Sequence, residues 1–201
     1  MDGTLIDSGD IISNSINYVR QKQGLEVIDK LTILNKVNDP HINPAHYFYE
    51  TEQFTDRQSK YFEEYYTKNY ANQIKLYDGI TNLLESLKDH YSFSIATNAA
   101  TKYGVMMVEH LNIAHYFDEV IGADKVTQGK PNPEMILKLM QTQNYKKEST
   151  LLIGDSQKDI MAAKSADLEY IVVNWGFSNH DNALTDVNEL LKLLISTKEL
   201  E

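Results

Sequence analysis

The sequence predicts an α/β fold, a doubly wound parallel sheet with an inserted α-helical domain. Three observations predict it. From Tyr77 onward, segments with helical spacing alternate with short apolar runs of strand length, as in successive βαβ units. Two of those runs, "TLLIGD" (150–155) and "YIVVN" (170–174), are continuously apolar, as expected for strands covered on both faces. Between Gly9 and Ile74 the texture is different: helical spacing rich in Tyr, Asn and Gln, with few strand-like runs. The expected division is a core of residues 1–8 and 76–201 with a helical insertion over 9–75.

Taken in order, "IISNSINYVRQKQG" places Ile12, Ile16 and Val19 on one helical face and stops at Gly24. "NDPHINPAHYFYE", with two prolines and two histidines, reads as a loop leading into a short helix. "RQSKYFEEYYTKNYANQ" sets Tyr61, Phe62, Tyr65, Tyr66 and Tyr70 along a second long helix, with Thr55 or Asp56 as its N-cap. The core is then expected as helix 79–90, strand "YSFSIAT", helix 100–111, strand "EVIGA" and helix 133–143. Strand "TLLIGD", helix 157–166, strand "YIVVNW" and helix 186–197 complete it. Aromatic residues at helical spacing usually form core. His41, His46 and the tyrosine-rich helix are therefore read as structural before they are read as substrate contacts, and so are Trp175 and Phe177.

Composition narrows the function. With 201 residues the chain has room for one domain, or for a core plus a small insertion. A formal net charge of -10 without a lysine/arginine cluster argues against nucleic acid as a partner, and "YKKES" near Lys146 reads as a solvated loop. The absence of cysteine excludes disulfides, thiolate metal sites and cysteine nucleophiles. No apolar run approaches bilayer length and no secretion leader is visible, so a cytoplasmic protein with no membrane partner is expected.

Ligands of doubly wound sheets bind at the carboxyl ends of the strands. Thr97 and Asn98 follow "SIA", Lys130 lies in the loop after "VIGAD", Asp155 follows "LLIG" with Asp159 four residues on, and Asp2 stands at the start. Neither G-x-G-x-x-G nor G-x-x-x-x-G-K-[ST] occurs, which removes the main support for dinucleotide and P-loop readings. Each residue also has a purely structural reading. Ser156-x-x-Asp159 is a capping-box pattern, Asn132-Pro133 a helix start, Thr97-Asn98 another cap, Asp2-Gly3 a turn and Lys130 a surface lysine. Their joint occurrence, in order and each at a strand end, favours a site.

"MDGTLIDS", "SIATNAA", "GKPNPE" and "LLIGDSQKDIMAAKSA" together resemble the haloacid dehalogenase superfamily of hydrolases, in its phosphoglycolate phosphatase and β-phosphoglucomutase-like branch. The resemblance implies a Mg²⁺-dependent phosphatase acting on a small phosphorylated metabolite through an aspartyl-phosphate, with residues 9–75 as the cap and the protein a monomer or homodimer. It implies Asp2 as general acid and base and as a metal ligand through its carbonyl. Asp155 and Asp159 become metal ligands, Thr97 and Asn98 donors to the phosphoryl group, and Lys130 the cation that neutralises its charge. A divalent cation suits the chemistry, because a carboxylate otherwise approaches a phosphate dianion against repulsion.

The superfamily's first motif is D-x-D-G-T, on a central strand. Here Met1 stands at the x, so the nucleophilic aspartate and its strand are expected upstream of the residues in hand. A shortened or mis-set start is favoured over a degenerate, non-catalytic member, because every other motif residue is intact. Two alternatives stay open: a phosphate-binding protein without turnover, and a sugar-phosphate mutase. Dehalogenation fits least, since it has no use for this set of carboxylates.

Overall fold

The computed structural model describes residues 1–198. A short strand β1 (Ile6–Asp7) pairs antiparallel with β2 (Lys75–Leu76), in register Ile6 with Leu76 and Asp7 with Lys75. Everything between these strands is helical: α1 (Gly9–Lys22), α2 (Lys30–Asn38), α3 (Pro44–Tyr49), α4 (Asp56–Asn69) and a 3₁₀ turn at Tyr70–Asn72. The two chain crossings into this unit are thus tied to each other by a backbone ladder.

Local chemistry accounts for these helices. Thr55 and Gln58 form a capping box at the start of α4, so Thr55 is the cap. Asp29 caps α2 through the Thr32 N–H, and Asn43 caps α3 ahead of Pro44. Ser8 precedes α1 but does not cap it, because its hydroxyl turns to Asp2. α1 packs along α4, and Ile16, Val19, Ile33, Phe48 and Tyr49 form the apolar centre of the unit. The second helix, α2, has no counterpart in the sequence reading; "KLTILNKVN" is short and only weakly amphipathic.

The remainder alternates as expected: α5 (Ile80–Leu87), β3 (Phe93–Thr97), α6 (Thr101–His110), β4 (Phe117–Gly122), α7 (Glu134–Gln143), β5 (Leu151–Gly154), α8 (Gln157–Ala166), β6 (Glu169–Val172) and α9 (Val187–Lys198). β3 pairs parallel with β4, and β5 parallel with β6. No strand among the described residues joins β3 to β5, so the sheet is two parallel pairs side by side.

The strands of the second pair are covered on both faces, as expected: Leu152 packs against Ile136, Ala162 and Ala166, while Ile153 and Ile171 pack against the main core. Leu151, at the start of β5, is the exception at 36% exposure. The main core forms where α5 and α9 pack together, with Leu83, Leu84, Leu87, Ile95, Val108 and Leu190 at its centre and Met1 packed against it. A smaller cluster of Ile6, Ile11, Tyr66, Ile74 and Met107 joins the helical unit to α6. No helix among the described residues is long and apolar enough to cross a membrane.

Candidate active site

The strand ends deliver the expected side chains to one place. Thr97 closes β3 and is buried, Lys130 lies in the loop after β4, and Asp155 directly follows β5. Lys130 is the hub. Its Nζ donates to Asp159 Oδ1 at 2.6 Å and to the Ala96 carbonyl at 2.7 Å. The Asn98 amide clamps the Lys130 backbone, Oδ1 accepting its N–H and Nδ2 donating to its carbonyl, each at 2.8 Å. An ammonium has three donors, so one N–H of Lys130 is left for a ligand.

Asp159 is gripped twice. One oxygen takes Lys130, and the other accepts from the Ser156 N–H at 3.1 Å and the Ser156 hydroxyl at 2.6 Å. The capping box and the ion pair therefore share one carboxylate. Burial alone would raise its pKa, but Lys130, the nearby Met1 amino group and Ser156 outweigh that and hold it at about 2. Lys130 and Asp159 expose only 10% and 9% of their side chains.

Asp155 lives differently. Its partners are all neutral and distant: the Thr4 hydroxyl at 3.2 Å, the Asn38 amide at 3.4 Å and the Phe177 N–H at 3.4 Å. Burial and then the charge of Asp159 push its pKa up to about 6. Gly3 seats Asp155 beside Asp2. Its φ of +71° is open to glycine, and a Cβ there would stand 2.2 Å from Asp155 Oδ2. Asp2 itself accepts the Ser8 hydroxyl at 2.5 Å. The nitrogen of Met1 is buried within reach of Lys130, Asp2, Asp159 and Asp155, so the centre of the cluster is the backbone just before Asp2.

Thr97 Oγ1 accepts the Ala99 N–H at 3.2 Å, and its hydroxyl proton has no acceptor among the described residues. Asn98, expected as a donor to a phosphoryl group, spends its carbonyl and one N–H on Lys130, which leaves its second Nδ2 proton. The sequence reading missed the supporting ring. Thr4 donates to Asp155, Trp175 Nε1 donates to the Thr4 carbonyl at 2.8 Å, and His180 Nε2 meets the Asp155 carbonyl at 3.1 Å. Gly176 abuts Gly3, where a Cβ would come within 1.9 Å of the Gly3 carbonyl. Asn38, at the end of the unforeseen α2, reaches both Asp155 and Ser178. Lys158 donates to the Val37 carbonyl at 2.7 Å, a second tie between α8 and that helix. His41 and His46 are exposed and belong to none of this.

The sequence pattern of the haloacid dehalogenase-like hydrolases matches residues 1–173. The chain belongs to that family. Its core and inserted helices are the family's architecture. The crystal structure of a predicted phosphatase from Clostridium acetobutylicum superimposes with a TM-score of 0.84 at 28% identity, covering 98% of this chain and 95% of that one. A phosphoglycolate phosphatase of Photorhabdus laumondii is 27% identical over 209 residues, spanning 96% of this chain and 89% of its own length. The pyrophosphatase PpaX of Oceanobacillus iheyensis is likewise 27% identical, over 89% of this haloacid dehalogenase-like chain and 83% of its own.

A divalent cation can be tested against these side chains. Asp155 is buried, ion-paired with no described residue, and bonded only by long neutral contacts. Such a carboxylate is under-compensated and suits a hard cation. Asp159, the third expected ligand, is committed to Lys130 and Ser156, and no group of three or more His, Cys, Asp or Glu among the described residues is gathered to hold a metal. What remains is the Asp155 carboxylate together with the backbone carbonyl of Asp2, whose own carboxylate is taken by the Ser8 hydroxyl. That donor set fits Mg²⁺, which keeps several waters and commonly binds through one or two carboxylates plus substrate phosphate.

Proposed function

We propose that the protein is a Mg²⁺-dependent phosphatase of small phosphate monoesters, in which residues 9–75 form the cap over the site. The observation that carries this reading is the Lys130 ammonium, with two of its three N–H donors used, bonded to Asp159, whose charge also acts on a buried Asp155 that is ion-paired with no described residue.

In this reading the Asp155 carboxylate and the Asp2 backbone carbonyl hold the cation, which when bound offsets the negative charge of the phosphoryl group. The third N–H of Lys130 and the Thr97 hydroxyl donate to phosphoryl oxygens, and Asn98 keeps Lys130 in place. Asp159 fixes the ammonium and stays ionised. Asp2, oriented by Ser8, carries the proton for the leaving-group oxygen and afterwards takes one from water. The resemblance assigns the nucleophile to the first aspartate of the D-x-D-G-T motif, the residue that would precede Met1. Its carboxylate oxygen forms a bond to phosphorus as the ester P–O bond breaks, and water hydrolyses the aspartyl-phosphate.

The test compares the chain beginning at Met1 with one extended by an apolar strand ending in Asp. Mg²⁺-dependent phosphate release from p-nitrophenyl phosphate is expected only from the extended chain. A lost covalent nucleophile costs roughly 10⁴–10⁶ in turnover elsewhere. Equal rates would overturn the assignment of the nucleophile, and phosphate binding without turnover by the extended chain would favour a non-catalytic binding protein.

A further inference from the structure

A pocket of about 180 Å³ opens beside Asp2, between the helical unit and α6. Ile12, Phe62 and Tyr66 line it from one side, and Ala99, Ala100, Tyr103 and Met107 from the other. Ala99 is bonded to Thr97 through its N–H, so the pocket begins where the phosphoryl donors end. It is the space a leaving group occupies if Asp2 protonates the departing oxygen.

Its chemistry is specific. Asp2 is the one charged residue in its lining. The nearest cation along α6, Lys102, is paired with Glu63 at 2.7 Å, and both side chains are about half exposed. Arg20 is spent on backbone carbonyls inside the helical unit, its guanidinium donating to those of Glu26 and Phe48. His110 packs on Tyr70 and meets the Ala71 carbonyl. A carboxylate entering this pocket would meet Asp2 in the lining, while the nearest ammonium, Lys102, lies 5.0 Å from the Tyr103 ring centroid and is already paired with Glu63, so its lost hydration would be poorly repaid.

The walls suit a ring. Tyr66 and Tyr103 stand with centroids 4.5 Å apart, and Phe62 stacks on Tyr66 at 5.7 Å. An apolar cavity of about 150 Å³ is enough to hold benzene. Tyr66 is only 3% exposed, yet its hydroxyl has no hydrogen-bond partner among the described residues. With the Tyr103 hydroxyl, it is a polar contact these walls offer a neutral group.

We infer that the leaving group is uncharged and ring-sized, set by Phe62, Tyr66 and Tyr103, and that the site selects against carboxylate-bearing esters such as phosphoglycolate. The inference rests on the phosphatase reading above, because it takes Asp2 as the acid beside the leaving oxygen.

Binding measured by calorimetry on the full chain with Mg²⁺ separates the two. Inorganic phosphate, phenyl phosphate and phosphoglycolate are the probes. Phenyl phosphate is expected to bind at least tenfold more tightly than phosphoglycolate, and phosphoglycolate no more tightly than inorganic phosphate. Ala100→Lys, which adds a cation at a partly exposed wall position, is expected to bring phosphoglycolate level with phenyl phosphate or above it. Tyr103→Ala should reduce phenyl phosphate toward inorganic phosphate while leaving phosphate itself unchanged. Phosphoglycolate binding equal to or tighter than phenyl phosphate in the unsubstituted chain would overturn the inference and leave the phosphatase reading standing. Failure of all three probes to bind, with Lys130→Ala indistinguishable from the parent, would remove both.

Discussion

Two halves of one cleft are built by opposite means. Around Lys130, Asp155 and Asp159 the side chains are buried, charged and held by hydrogen bonds, many of them to backbone. Around Phe62, Tyr66 and Tyr103 the side chains are apolar and are held by shape. The first half tolerates almost no change, because each buried charge needs its partner. The second can be re-carved, because losing an apolar contact leaves no orphaned charge. Within the family this suggests why a common phosphoryl grip can serve different leaving groups.

The largest expected effect falls on the charged half. Lys130→Ala should cost about 3–5 kcal/mol in urea unfolding, because buried Asp159 would lose its partner and have either to stay charged without it or to take up a proton. Phosphate binding should vanish with it. A cost below about 1 kcal/mol would mean the pair is solvated and the contrast between the halves is false.

Asp155→Asn should act the other way when no divalent cation is present. Its folded pKa of about 6 lies above the ordinary carboxylate value of 3.8, so the folded state binds the proton more tightly than the unfolded chain. The favourable contribution is present in full below pH 3.8 and is lost as pH rises through 6. At pH 8 in chelator the substitution should therefore stabilise by about 2–3 kcal/mol, and at pH 3.5 by almost nothing. Unfolding curves at the two pH values check the sign. With saturating Mg²⁺ the gain should reverse.

Smaller effects mark the contrast at its edges. Thr55→Ala removes the capping box of α4 and should cost about 1 kcal/mol, reading out the stability of the helix that carries Phe62 and Tyr66. Tyr66→Phe should change stability by less than about 0.5 kcal/mol, since its hydroxyl has no partner to lose. A loss of more than about 1 kcal/mol in thermal or urea unfolding would show that the hydroxyl is already bonded in the free protein.

Much of this cleft was legible without coordinates. Helix 157–166 is found at those bounds, Thr97 and Asp155 stand at strand ends and Lys130 in the loop after β4, because apolar runs, caps and turns act over a few residues. The capping box read at Ser156 and Asp159 is present, and the same carboxylate also takes Lys130, a partner the sequence did not announce. The exposure of Leu151 was not legible, because it depends on what packs over the start of its strand.

What the residue order determined by itself was the set of elements and the side chains at their ends, since helix periodicity and turn chemistry are local. What only the tertiary structure decided was partnership. Thr4 meets Asp155 across 151 residues, Asn38 arrives from an unforeseen helix, and tyrosines that read as core line a pocket beside Asp2. Such contacts have no period in the chain. They arise when packed elements bring distant segments within hydrogen-bonding reach, and at that distance burial and charge, not sequence spacing, decide which groups pair.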